Sequence, residues 1–232
     1  IITGASQGIG AELVQAYRSR NFSVVGNSRS IRGGSDPDVI AVDGDIGNPG
    51  TAERVVAEAV RRFGRIDTLV NNAGIFIAKP FTDYSAADFA AVLSVNLAGF
   101  FHVTQRAVAQ MLTQGSGHIV TITTSLVDQP IAGVPAALAS ITKGGLNSVT
   151  KELAIEYATR GIRVNAVCPG PIKTASYDRV TGGDDHMYDD GVPMHRIGQP
   201  REISHAVLWL LSSQSSYVTG GFIPVDGGMS AN

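Results

Sequence analysis

Short apolar runs alternate along the chain with longer stretches in which apolar residues recur every three or four positions, the signature of strands alternating with amphipathic helices. Ile1 and Ile2 predict a strand that ends in a glycine-rich turn through Gly10 and feeds the helical run Ala11 to Arg20, where Leu13, Val14 and Tyr17 form one stripe. Phe22 to Val25 predicts the next strand, so the turn lies inside a β-α-β unit. Val39 to Val42 is a third strand. Asn48, Pro49 and Gly64 then frame a helix as N-cap, first-turn proline and C-terminal glycine, with Val55, Val56, Ala59, Val60 and Phe63 as its buried stripe. Ile66 to Val70, Ile119 to Ile122, Ile162 to Val167 and Phe222 to Val225 predict four more strands. Residues 85 to 114 read as a helical pair that is apolar on more than one face, a long helix covers 136 to 160 before Gly161, and Pro200 opens a last helix. This alternation predicts an α/β fold, a parallel sheet with helices on both faces.

Composition bounds the class. A chain of 232 residues, 44% hydrophobic and without a Pro/Ser linker, predicts one domain over 1–232, with the polar segment 175–197 as a mobile lid. The formal net charge of -2 supplies no basic face, so neither nucleic acid nor a membrane surface is an expected partner. Uninterrupted apolar runs such as Ala206 to Leu211 are too short to span a bilayer. Cys168 is the single cysteine, which excludes an internal disulfide and a multi-cysteine metal site and fits a reducing, cytoplasmic setting. It reads as a small core residue. The pattern begins inside a strand, so upstream residues are expected.

The turn carrying Gly4, Ser6, Gln7, Gly8, Ile9 and Gly10 offers helix N-terminal N–H groups to a phosphate, with glycines that let a ligand approach the backbone. At the tip after the second strand, where a dinucleotide's adenosine ribose lies, an acidic residue binds a 2'-hydroxyl and an arginine accommodates a 2'-phosphate. Ser28 and Arg29 occupy that tip and point to NADP(H) over NAD(H), although a solvated loop arginine explains Arg29 equally well. Asp43, Gly44 and Asp45, and a second small-residue turn at Asn71, Asn72, Ala73 and Gly74, fall at the same edge of the sheet.

Over essentially its whole length the chain resembles the short-chain dehydrogenase/reductase family, in its branch of single-domain Rossmann enzymes. The resemblance rests on Thr3-Gly4 with Gly8 and Gly10, on Asp45-Ile46, on Asn71 to Gly74, on Ser94-Val95-Asn96, on Pro169-Gly170-Pro171-Ile172 with Thr174, and on Val225 to Gly228. It implies a doubly wound seven-stranded sheet in the order 3-2-1-4-5-6-7. It further implies hydride transfer between a nicotinamide cofactor and a small carbonyl or alcohol substrate. Asp45 and Ile46 would contact adenine, Lys143 the nicotinamide ribose, and Pro169, Gly170, Ile172 and Thr174 the nicotinamide amide. Asn96 would be the active-site asparagine. The substrate-binding hydroxyl falls on Thr124, with Ser125 beside it. The helices of 85–114 would form the interface of a homo-oligomer, a dimer or tetramer.

One position departs from the family's pattern. Its proton comes from a tyrosine four residues before the lysine, on the same helical face, where the ammonium lowers the phenol's pKa. Here Lys143 is preceded by Ala139, and no tyrosine lies between Tyr84 and Tyr157. Three readings stay open. The acid comes from the lid, with Tyr177, His186, Tyr188 and His195 as candidates; or Thr124 or Ser125 relays a proton with Lys143 and a water held by Asn96; or the protein binds NADP(H) without turnover.

Overall fold

A computed structural model describes residues 1–186 and 191–231. Seven parallel strands, β1 (Ile2–Thr3), β2 (Val24–Ser28), β3 (Val39–Asp43), β4 (Thr68–Asn71), β5 (Gly117–Ile122), β6 (Ile162–Pro169) and β7 (Phe222–Val225), form one sheet in the order 3-2-1-4-5-6-7. The helices are α1 (Gly8–Arg18), α2 (Pro49–Phe63), α3 (Ala86–Leu93), α4 (Gly99–Gln114), α5 (Ala137–Tyr157), α6 (Ala175–Thr181) and α7 (Pro200–Leu211). Val55, Val103, Met111 and Ala154 carry α2, α4 and α5 onto one face of the sheet, against Leu69, Ile119 and Val164. Leu13, Tyr17, Ile203 and Val207 carry α1 and α7 onto the other, against Ile2, Val24, Val70 and Val120. Burial on both faces explains why the middles of the central strands run as consecutive apolar residues, Leu69–Val70, Ile119–Val120 and Ala166–Val167, rather than alternating. The order places the ends of β1 and β4 side by side, at the point where the winding reverses and a crevice opens.

Helix α2 has the frame its residues predict. Asn48 accepts from the Gly50 N–H, Pro49 opens the helix, and Gly64 closes it at φ 75°. Several strand limits move: β5 begins two residues earlier, at Gly117, β6 ends two residues later, at Pro169, and β2 and β4 shift for reasons their contacts show. Strand β2 runs from Val24 through Ser28, not over Phe22 to Val25, because Phe22 turns back to pack edge-on against Tyr17. The buried Asn27 extends it by donating to the carbonyls of Val42 and Gly44, at 3.0 and 3.2 Å. Strand β4 starts at Thr68 because the side chain of Gln114 binds both the N–H and the C=O of Ile66, at 2.8 Å each.

The helical pair is nearly continuous, since a π-helical turn over Ser94–Ala98 joins α3 to α4. As one stretch, Ala86–Gln114 has 29 residues and a mean hydropathy of 1.5 in its most apolar window, enough by length and composition to cross a bilayer. Counting uninterrupted runs underrates it. Val103, Ala107, Val108 and Met111 bury its apolar face on the sheet, while Phe89 and Phe101 stay exposed. Within the chain, nothing forces the glycines of α5: a Cβ at Gly144 or Gly145 would meet only Val127 at 3.7 Å or Leu97 at 3.9 Å, ordinary contacts.

The segment 175–197 is tied at both ends. Gly198 pairs with Pro171 and Lys173 through backbone bonds of 2.9 Å, and Met194 donates to Gly227 at 3.1 Å. Val192 and Ile197 are buried.

Candidate active site

The crevice is built on the turn between β1 and α1. Gly10 is required there, because a Cβ would stand 2.0 Å from the Gly4 carbonyl oxygen; Gly4 itself sits at φ 67°, which disfavours a side chain. Thr3 Oγ1 accepts from the N–H groups of Asn72 and Ala73 at 3.0 Å, and Asn72 Nδ2 donates to the Thr3 and Gly4 carbonyls at 2.9 and 3.2 Å. The two small-residue turns are thereby sewn together. Helix α1 starts at Gln7 without a side-chain cap, which leaves its first-turn donors to an outside anion.

A cleft of about 550 Å³ runs along this edge. Gly4, Ser6, Gln7, Ile9, Asn72, Ala73 and Gly74 line it together with Ser28, Arg29, Asp45 and Ile46. The Asp45 carboxylate accepts from the Gly47 N–H at 2.9 Å and so shapes its own turn. Gly8 and Gly10 shape the cradle without lining the cleft. Thr174 and Ser176, at the start of α6, and Arg179, in its last turn, line it as well.

Ile9, Asn72, Gly74, Ile75, Thr174 and Ser176 are walls shared with a second cavity of about 290 Å³. Lys143, Ala139, Thr124, Pro169, Gly170 and Ile172 line this second space. Lys143 Nζ donates to the Ile122 carbonyl at 2.7 Å. The residue as a whole is half-buried, but its ammonium is enclosed, and burial without a compensating carboxylate lowers its pKa to about 8. Ala139, one turn earlier on α5, is buried.

Asn96 lies in the π-helical turn and is buried. Its Oδ1 accepts from the Ile75 N–H at 2.9 Å, and its Nδ2 donates to the Ile75 carbonyl at 3.1 Å and to Thr142 Oγ1 at 3.2 Å. The side chain braces the loop after β4 against α5. A Cβ placed on Gly74 would lie 3.3 Å from Lys143 Nζ and 3.4 Å from Asn96 Oδ1, so both groups meet at one backbone point. The two hydroxyl candidates separate. Thr124 lines the cavity, accepts from the Leu126 N–H at 3.3 Å and makes a long 3.4 Å bond to the Pro169 carbonyl. Ser125 is buried outside the cavity wall and donates to the same carbonyl at 3.1 Å. Cys168 is buried beside Thr123, whose oxygen lies 3.1 Å from its sulfur, and burial raises the thiol pKa.

Of the lid candidates, Tyr177 alone among the described residues lines the cavity; its hydroxyl donates to the Asp184 carbonyl at 3.0 Å. His186 and His195 line a separate hollow with Arg196 and Glu202. Tyr188 lies outside the described residues. Sequence reasoning missed Arg179, Asn27 and Thr142. Asn27 and Thr142 work through bonds between elements distant in sequence, and the position of Arg179 depends on how α6 folds back over the cleft, so no local pattern marks them.

Residues 4–230 match the family described as enoyl-(acyl carrier protein) reductase. The chain is 33% identical over 236 residues to a 3-oxoacyl-(acyl-carrier-protein) reductase of Buchnera aphidicola, a match covering 99% of this chain and 96% of that protein. It is 34% identical over 241 residues to a 3beta-hydroxysteroid dehydrogenase of Eggerthella lenta, covering 99% and 92%. Among solved structures, a 3-ketoacyl-(acyl-carrier-protein) reductase of Brucella melitensis complexed with NADH superimposes with a TM-score of 0.92 at 29% identity, covering 99% and 96%.

Proposed function

The chain belongs to the short-chain dehydrogenase/reductase family of oxidoreductases, and we propose that it moves a hydride between NADP(H) and a carbonyl or alcohol substrate. The carrying observation is the wall shared by the dinucleotide-shaped cleft and the cavity that holds Lys143 and Thr124. In this reading the α1 N-terminus holds the diphosphate, Asp45 and Ile46 the adenine, and Ser28 and Arg29 a 2'-phosphate. Asn72, Ala73, Gly74 and Lys143 hold the nicotinamide ribose, and Pro169, Gly170, Ile172 and Thr174 the amide. The bound nicotinamide supplies or accepts the hydride. Thr124 positions the substrate oxygen. Ala139, four residues before Lys143, stands in the family's tyrosine slot, so the proton has another carrier.

Lys143 and Tyr177 are the titratable side chains that line the cavity among the described residues. Lys143 is the better donor. Its pKa of about 8 is close to working pH, and one N–H bond to Ile122 leaves two more for the substrate oxygen or a bridging water. Ala139 favours one further reading, a nucleotide-binding protein without turnover.

The exposed Phe89, Phe101 and Ile155 on α3, α4 and α5 support a homo-oligomer, a dimer or tetramer. The single buried cysteine suits a cytoplasmic protein.

Calorimetric titration with NADPH and with NADH tests the cofactor assignment. NADPH is expected to bind more tightly, since charge-assisted bonds from Arg29 to a 2'-phosphate contribute about 1.5–3 kcal/mol. Equal affinities remove the assignment of Arg29, and binding of neither removes the whole reading.

A further inference from the structure

The walls of the 290 Å³ cavity specify what enters it. Leaving aside the turns assigned to the cofactor, the body of the space is formed by Phe76, Leu126, Ile131, Val134, Val180 and Met229, which come from the connections after β4 and after β5, from α6 and from the turn Met229–Ala231. Among the described residues no carboxylate, arginine or histidine lines it. Its one carboxamide, Asn72, spends its N–H groups on the carbonyls of Thr3 and Gly4. A sugar or other polyol would leave its hydroxyls unpaired against this wall, and each buried unpaired polar group is costly. An anionic substrate would find one cation, Lys143, and would claim the ammonium that the reaction needs. Of the other hydroxyls on the wall, Thr123 bonds the Val167 carbonyl, Tyr177 donates to the Asp184 carbonyl, and Thr174 and Ser176 stand on the wall shared with the cofactor cleft, which leaves Lys143 and Thr124 for the substrate oxygen.

Resting on the oxidoreductase reading above, we infer that the substrate is a neutral, monofunctional apolar ketone or the matching secondary alcohol, with its oxygen at Lys143 and Thr124 and its hydrocarbon body on Leu126, Ile131, Val134 and Met229. The volume sets its size. An apolar cavity of about 150 Å³ takes a benzene ring; this space is roughly twice that, and because Pro169, Gly170, Ile172 and Thr174, assigned to the nicotinamide, also line it, the room left beside the cofactor takes a body of one ring. In the reductive direction the carbonyl carbon gains the hydride, the carbonyl oxygen gains a proton from Lys143, and the cofactor leaves oxidised while solvent reprotonates the amine.

The test is ligand-observed NMR titration of the protein saturated with NADP⁺, which binds ketones without reducing them. The probes are cyclopentanone, cyclohexanone, 1-indanone, 1-tetralone and a tricyclic ketone, with glucose and 2-oxohexanoate as polar comparators. The dissociation constant is expected to fall about fourfold from cyclopentanone to cyclohexanone, the equivalent of ~0.8 kcal/mol for the added methylene, and to rise for the bicyclic and tricyclic ketones. Val134→Asp, a change in a partly exposed loop residue, is expected to weaken cyclohexanone at least tenfold while leaving NADP⁺ affinity unchanged. Tighter binding of glucose or the oxoacid than of cyclohexanone, or a flat profile across the ketones, overturns the inference. The size-dependent profile with no turnover on NADPH upholds the cavity's specificity and overturns the oxidoreductase reading instead; turnover confined to polar substrates does the reverse.

Discussion

Replacing Ala139 by tyrosine perturbs the proposed chemistry at one atom position. Ala139 and Lys143 stand four residues apart on α5, so a phenol at 139 would share the lysine's face and point into the cavity they both line. A positioned general acid contributes roughly 10² to 10⁴ in rate, or about 3 to 5 kcal/mol of barrier. The counter-term is steric. Position 139 is 5% exposed with Leu138 at 4% behind it, and overpacking a closed core costs about 1–3 kcal/mol; here the ring has 290 Å³ of open cavity in front of it. The gain is therefore expected to exceed the cost, with kcat on cyclohexanone rising at least tenfold and Tm falling by a few degrees. Cyclohexanone is the right probe because it is small enough to share the cavity with the new ring. The assay is NADPH oxidation followed by absorbance, alongside thermal unfolding and NADPH affinity. A variant that folds, binds NADPH as the parent does and reduces cyclohexanone no faster would refute the reasoning that the proton donor is the suboptimal part.

In the parent protein, kcat for reduction is expected to fall as pH rises through about 8, because the acid is the protonated ammonium whose pKa burial lowers to that value. Lys143→Met is expected to remove both the rate and this inflection; an inflection that survives and disappears in Tyr177→Phe assigns the proton to the lid. The same shift has a sign for stability. Below pH 8 folded and unfolded chains both carry the proton and the burial penalty is complete, and between about 8 and about 10.4 the folded state sheds it first, so parent stability rises across that window and the rise is absent in Lys143→Met. Arg29→Ala is expected to weaken NADPH by about tenfold or more and leave NADH unchanged, on the strength of charge-assisted bonds worth about 1.5–3 kcal/mol; equal losses for both cofactors, by calorimetry, would count against a 2'-phosphate contact.

Much of this architecture was legible before any coordinates because its signals are local. The Asn48–Pro49–Gly64 frame of α2 and the glycine turn at Gly4 and Gly10 each depend on residues close together in sequence. The limits of β2 and β4 were not legible, because Asn27 and Gln114 set them through side-chain bonds to residues 15 to 48 positions away. At the site, the ambiguity between Thr124 and Ser125 needed the third dimension, since one residue's difference turns a hydroxyl from cavity wall to core. The lid candidates likewise looked alike as polar loop residues. Only packing separates Tyr177, on the cavity, from His186 and His195, on another hollow. The bracing bonds of the Asn96 amide to Ile75 and Thr142 were not legible either, because they join residues 21 and 46 positions apart.

Hydride transfer itself is measured most directly by incubating the protein with cyclohexanone and NADPH carrying deuterium at both C4 positions of the nicotinamide, then analysing the alcohol by mass spectrometry. The expected result is an alcohol heavier by one mass unit, formed by the parent chain and faster at pH 7 than at pH 9. An alcohol without label, or no alcohol from cyclohexanone or any other ketone while NADPH demonstrably binds, would contradict the claim that the cleft and the Lys143 cavity together make an oxidoreductase.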